Sequence, residues 1–190
     1  MSVYSMVSRI GIASAHLYEP TSEWRREVYS KISCSYCWDV LPQYRDIPID
    51  VELSAMIDPK DPLPAFKHFI ALGLIRTDLL CVLTEWIRGY RIGSVSCSGK
   101  ALPEFRSVLA GTSVRVRSCG DERSRVDPCK LCGRLCIATP NEYFKPGDIG
   151  DKQVFSNVAG VGWTVSERVR NAIPRVIYRK LKFFPVPLRE

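Results

Sequence analysis

The sequence predicts an α+β fold with short sheets, and three observations carry that expectation. Residues Ile47–Leu53 alternate apolar and polar side chains, the period of a strand with one buried face. A succession of strand, hydroxyl residue, acid, short helix and strand occurs twice, at Leu74–Val95 and Gly162–Val186. Two Cys-x-x-Cys turns, Cys34–Cys37 and Cys129–Cys132, flank residues 38–128.

A chain of 190 residues suits one domain, 1–190, with a sizeable core. Its 46% hydrophobic and 25% charged content excludes a disordered chain. The greasy stretches around Phe69–Ile75 and Leu79–Ile87 are broken by Arg76, Asp78 and Glu85, so no membrane-spanning helix is expected. The N-terminus lacks the basic and continuous apolar regions of a secretory signal. The expected compartment is therefore the reducing cytoplasm, where paired cysteines more often bind metal than form disulfides.

The elements follow in chain order. Glu19–Ser30 reads as a short helix, with Thr21 or Ser22 as N-cap and Trp24, Val28 and Tyr29 facing inward. In the strand at Ile47–Leu53, Ile47, Ile49, Val51 and Leu53 form the buried face, and Pro48 makes it an edge strand or delays its start. Asp58–Pro64, with three prolines, reads as a rigid loop. Phe66–Leu72 reads as a short helix ended by Gly73, and Leu74–Arg76 as a brief strand. Asp78–Arg88 is the better helix, capped by Thr77, with Leu79, Val82, Leu83, Trp86 and Ile87 in one stripe. Gly89 ends it, and Tyr90–Val95 continues as a strand.

Near the C-terminus, Gly162–Val165 reads as a strand and Ser166 as the cap of a helix that buries Val169, Ala172 and Ile173. Pro174 interrupts or ends that helix, and Lys180–Val186 returns as a strand. The two strand-helix-strand units are compatible with an internal duplication, or with two ordinary units of one type.

The cysteine spacing is the most specific chemical signal. A two-residue gap lets one tight turn present two sulfurs to one metal, and zinc takes four ligands in a tetrahedron. Cys34, Cys37, Cys129 and Cys132 supply them, so one structural Zn²⁺ per chain is expected, stapling two distant segments around an inserted subdomain at about 38–128. The competing reading is two unrelated turns, one of them redox-active. Gly133 can turn backbone N–H groups toward the thiolates, whereas Trp38 holds the equivalent place in the first turn. Lys130 and Arg134 would offset the thiolate charge. Cys81 reads as a small core residue and Cys136 as packing on the strand after the second turn, while Cys97 and Cys119 are buried or free. Neither His16 nor His68 lies in a ligand-spaced motif.

The patterns of a nucleophile elbow, a phosphate loop, a dinucleotide fold and a zinc protease helix are all missing from the sequence. Four thiolates close a zinc to water, so an enzyme is not expected. The +7 charge is uneven: Asp46–Asp61 carries five acids and one base, and Arg168–Lys182 six bases and no acid. Such segments are either solvated faces or binding surfaces.

With CSYC at Cys34–Cys37, CKLCG at Cys129–Gly133, their wide separation and the closing segment that ends KLKFFPV, the chain resembles the double-CxxCG proteins of myxobacteria and related bacteria. The resemblance covers most of the chain from about Lys31 onward and departs at Trp38, where the family motif has glycine. Some of these proteins are immunity proteins of contact-delivered polymorphic toxins. The resemblance thus implies an immunity protein that binds and neutralises one cognate protein toxin, with zinc as a structural tie. The alternative is a nucleic-acid-binding zinc-ribbon-like protein, supported by the charge and by Arg115, Arg117, Arg123, Arg125, Lys130 and Arg134. No stacking platform of aromatics alternates with these bases, so only weak nonspecific binding to nucleic acid is expected.

Three segments are candidates for docking a partner. Asn141–Trp163 reads as an irregular glycine-rich loop that presents Tyr143, Phe144, Lys145, Asp148, Asp151 and Phe155, although these aromatics would serve equally to cover the core. The acidic stretch with Asp58 and Asp61 would suit a basic partner, and the basic stretch with Arg175 and Arg179 an acidic one.

Overall fold

Strand β1 (Val3–Ser8) lies inside a five-stranded sheet ordered β13-β1-β12-β11-β8. This computed structural model describes residues 2–9, 17–36, 40–66, 72–87, 89–109, 113–114, 117–118, 129–132, 142–157 and 163–189. The other strands of that sheet are β8 (Ser113–Val114), β11 (Val154–Asn157), β12 (Trp163–Ser166) and β13 (Leu181–Val186). A second sheet, β3-β7-β4, joins β3 (Leu72–Arg76), β4 (Arg91–Gly93) and β7 (Phe105–Leu109). A third, β2-β5-β6, joins β2 (Val51–Leu53), β5 (Val95–Cys97) and β6 (Lys100–Ala101). A two-stranded ribbon pairs β9 (Arg117–Ser118) with β10 (Glu142–Tyr143). The α+β class expected from the sequence is what the chain adopts.

Both strand-helix-strand units are present and share a topology. In the first, β3 leads through helix α2 (Thr77–Leu83) to β4, and both strands run antiparallel to β7 between them. In the second, β12 leads through α4 (Glu167–Ala172) and α5 (Arg175–Tyr178) to β13, both antiparallel to β1 between them. A crossover helix thus skips one strand, and a strand from elsewhere in the chain fills the gap. That strand follows the first unit and precedes the second.

The units pack on one core. Ile75, Leu79 and Leu83 of the first meet Val165, Val169, Ile173 and Leu181 of the second. Trp163 closes the seam: its indole lies against Gly73 and stacks on Tyr90, with ring centroids 5.2 Å apart. The period of two sends neighbouring residues of β3 to opposite faces. Leu72 and Leu74 enter a second core with Trp24, Tyr29, Ile32, Val51, Leu53, Val95 and Phe105. Strands β3 and β7 therefore contribute side chains to a core on each face, while the edge strand β4 exposes Ile92.

Helix α1 starts at Ser22–Trp24, where the Thr21 hydroxyl accepts the Trp24 N–H at 3.1 Å. It passes through a π-helical turn, Arg25–Tyr29, and ends at Ser30–Ile32. In an α-helix Val28 would follow Trp24 inward at the i+4 position. The wider turn instead brings Tyr29 beneath Trp24, with rings stacked at 5.5 Å, and turns Val28 outward. Strand β2 begins only after Pro48, so Ile49, Val51 and Leu53 are buried while Ile47 is exposed.

Helix α2 is shorter than the sequence predicts. The Thr84 hydroxyl donates to the Cys81 carbonyl at 2.7 Å and competes with the helical ladder. Thr77 is the first helical residue and not the cap; Arg76 holds that place without a side-chain cap bond. Leu79, Leu80 and Leu83 are buried, with Val82, Trp86 and Ile87 of the expected stripe partly buried against the same core, and Cys81, expected inside, is exposed. Of the short helix expected at Phe66–Leu72, residues 67–71 lie outside the described residues, and Leu72 and Gly73 already belong to β3. The single strand expected at Tyr90–Val95 is two, because Ser94 passes the chain from one sheet to the next. Ser166 caps α4 as expected, accepting the Val169 N–H at 3.3 Å, and Pro174 separates α4 from α5. Ala172, expected on the inner face of α4, is exposed.

Gly93 sits at that sheet junction with no room for a side chain. A Cβ there would press on the Ile49 carbonyl oxygen, 2.6 Å from its carbon and 2.6 Å from Ser107 Oγ. Ser107 itself donates to the Ile49 carbonyl. Gly93→Ala is expected to cost roughly 3 kcal/mol, because backbone and not a flexible side chain must yield. Chemical denaturation measures it, and a loss near zero would mean that this junction is loosely packed.

Candidate metal centre

The first cysteine turn hangs from the end of α1. Ser33 N–H still bonds the Tyr29 carbonyl at 2.9 Å, but Ser33 itself is extended and pairs with Val40 in a single antiparallel bridge. Leu41 N–H closes back on the Ile32 carbonyl at 2.8 Å. Cys34 directly follows this pairing, which forms the base of the first cysteine turn. Ile32 and Val40 anchor that base in the core of α1 and β2. Cys37, the remaining cysteine of this turn, lies outside the described residues, as does Trp38.

The second turn reaches the same place from the other end of residues 38–128. Cys34 is 3% and Cys129 5% exposed, and Cys132 is half-buried. Their sulfurs all lie within 4.8 Å of one another, and Cys34 Sγ is 3.7 Å from Cys129 Sγ. That is far beyond a disulfide, and none of the three is in one. It matches the edge of a tetrahedron of sulfurs, about 3.8 Å when each metal–sulfur bond is about 2.3 Å. Cys34, Cys129 and Cys132 can therefore hold a metal ion.

The turn also favours the ligating form. The backbone N–H of Cys132, first, and that of Leu131 donate to the Cys129 sulfur and outweigh its burial, lowering the thiol from 9.0 to about 6. Near neutral pH it is a thiolate, the species that binds metal. A compensating cation is present that the sequence reading missed. Arg45 donates from Nε to the Val40 carbonyl at 3.3 Å, bracing the first hairpin. Burial lowers its pKa, and the charge of Cys132 and then of Tyr29 opposes that shift. No spacing rule points to Arg45; only the folding of the Pro42–Tyr44 turn brings it to the sulfurs. Lys130 is exposed beside them, and Arg134, Gly133, Cys119 and Cys136 lie outside the described residues. So do His16 and His68, together with Arg115, Arg123 and Arg125.

Family models offer no match to this chain, and neither do the curated proteins. No helix among the described residues is long and apolar enough to cross a membrane.

The structure separates the three docking candidates. Asn141–Trp163 is not an irregular loop: it carries β10, helix α3 (Pro146–Ile149) and β11. Phe144, 2% exposed, is an interior residue packed with Val3 and Ile149, so its ring is no docking anchor. Tyr143 is half-buried, with the Arg189 guanidinium over its ring at 5.5 Å. Lys145 and Asp148 are half-buried and Asp151 is exposed; the side chain of Phe155 lies outside the described residues. Asp61, 1% exposed, is also interior, because its Oδ1 accepts the Leu63 N–H at 3.0 Å to close a tight turn. Burial raises its pKa, and bonds from Ser8 and Leu63 oppose that shift. Asp58 is half-buried and turned locally, accepting the Lys60 N–H at 2.8 Å. Arg175 and Arg179 are exposed.

Proposed function

We propose that the chain is an immunity protein that binds and neutralises one cognate protein toxin in the bacterial cytoplasm, with a single zinc ion as its structural tie. The observation that carries this reading is the meeting of Cys34 with Cys129 and Cys132 across the whole inserted subdomain. It is the arrangement that the double-CxxCG resemblance implies. Cys37 is the fourth ligand of this reading, since a two-residue gap from Cys34 lets one turn present both sulfurs to one metal. Zinc suits four thiolates in a tetrahedron, as does iron, and elemental analysis separates them.

Bound there, the metal supplies a cross-link and no open coordination position. The chain's own residues do the rest. The Ser33–Val40 bridge and the N–H groups of Leu131 and Cys132 pre-shape the turns, and Arg45 answers the thiolate charge. A rigid scaffold of this kind loses little entropy on docking, which is what a stoichiometric inhibitor needs.

Expressed with the polypeptide encoded directly upstream, the chain is expected to co-purify with it as a stoichiometric complex carrying one zinc per copy. It should also restore growth to cells producing that polypeptide. A folded, metal-loaded chain that neither binds nor protects would overturn the reading.

A further inference from the structure

We propose that the face formed by α4 and α5 is the docking surface, and that it takes an acidic protein surface studded with apolar side chains. The proposal rests on the immunity reading and names the partner chemistry of that function. Arg168 of α4, Arg175 of α5 and Arg179 just after it are exposed, and Val176, between the last two in sequence, is 69% exposed, the highest value of any large apolar residue described. Among the described residues none of these three arginines is in an ion pair. Glu167 is the single acid of the segment from β12 to β13. Exposed arginines outside any ion pair thus flank an exposed apolar side chain on α5, and an acidic partner is their complement.

Two arginines of this face are already ordered. The Arg168 guanidinium lies over the Trp86 ring, 4.8 Å from its centroid. Arg170 lies 4.5 Å from the Tyr4 centroid, with Tyr178 and Phe183 at 5.8 and 5.6 Å, and donates from Nε and a terminal nitrogen to the Tyr178 hydroxyl at 3.0 and 2.8 Å. Such stacking removes rotamer freedom before a partner arrives, so association loses less entropy. Arginine, tyrosine and tryptophan are also the residues that dominate the energetics of protein interfaces. These rings are covered by the protein's own cations, so they do not offer faces on which nucleobases could stack. That separates an acidic protein surface from a single strand of nucleic acid as the occupant.

The test uses the full-length, metal-loaded chain with two probes. One is a synthetic peptide of alternating acidic and leucine residues, and the other a single-stranded oligonucleotide of equal charge. Binding is followed by NMR amide shifts and titration at low and physiological salt. The peptide is expected to shift amides of α4 and α5, and Arg175→Glu with Arg179→Glu to weaken it by about tenfold or more. Val176→Asp should weaken it too, with metal content and thermal unfolding unchanged, since all three side chains are exposed. Amide shifts elsewhere, affinity indifferent to these changes, or tighter binding of the oligonucleotide would overturn the proposal. The upstream polypeptide distinguishes the two failures. If it binds the charge-reversed chain as well as the original, the face is wrong and the immunity reading stands. If it binds neither chain while the peptide behaves as expected, the face stands and the immunity reading falls.

Discussion

Cys129→Ser is expected to abolish metal binding and to lower stability by several kcal/mol. Cys129 lies at the centre of the cluster: its sulfur is 3.7 Å from that of Cys34 and accepts the N–H groups of Leu131 and Cys132. A structural zinc with thiolate ligands has an apparent binding free energy of about 10–16 kcal/mol in small domains. Part of that would remain with three ligands, and two hydrophobic cores contribute stability of their own, so the whole amount is not lost here. Even so, a domain whose total stability is about 5–15 kcal/mol would be left marginal. Cys37→Ser should act in the same direction. Elemental analysis and thermal unfolding read the outcome, with exposed Cys81→Ala as the control that changes neither. Full metal content and an unchanged melting temperature in Cys129→Ser would remove the staple from the fold.

Trp163→Ala is expected to cost about 4 kcal/mol, the usual range for a large buried aromatic being 3–5. Its indole contributes to the core shared by the two strand-helix-strand units, stacks on Tyr90 and covers Gly73. Gly73 has no side chain with which to fill the space, so relaxation around the cavity is limited. In a protein of this size that corresponds to a fall in Tm of roughly 10 °C. Urea denaturation measures the loss directly. A cost below about 1 kcal/mol, or two separate unfolding transitions in the unaltered chain, would show that the units do not share one core.

The legible parts of the fold were those set by local chemistry. Ser166 lies at a strand end before an acid and a helical stripe, and it caps α4. Pro174 cannot continue a helix and does not. Gly89 does take a positive φ of 71°, but α2 has already ended at Leu83, so the glycine is a turn residue and not the helix stop. The errors arose where a side chain had a partner that the local pattern does not reveal. An α-helix would turn Val28 inward, and the π-helical turn places Tyr29 there and Val28 outside. Thr84 ended α2 early through a bond to Cys81, and Asp61 carries surface chemistry yet is interior.

What the sequence alone determined was the type and order of the main elements and three sulfurs that now stand together, because caps, prolines, strand periods and two-residue cysteine gaps act within a few residues. What only the tertiary structure decided was which strands are neighbours and which charges remain free. β1 and β7 fill gaps left by crossovers remote in the chain, and Arg45 reaches Cys132 through a turn that no motif marks. Arg170 is stacked against three rings, while Arg175 and Arg179, a few residues on, stay in solvent. Those outcomes depend on long-range packing, and hydrophobic burial is non-directional, so a local pattern cannot specify its partner.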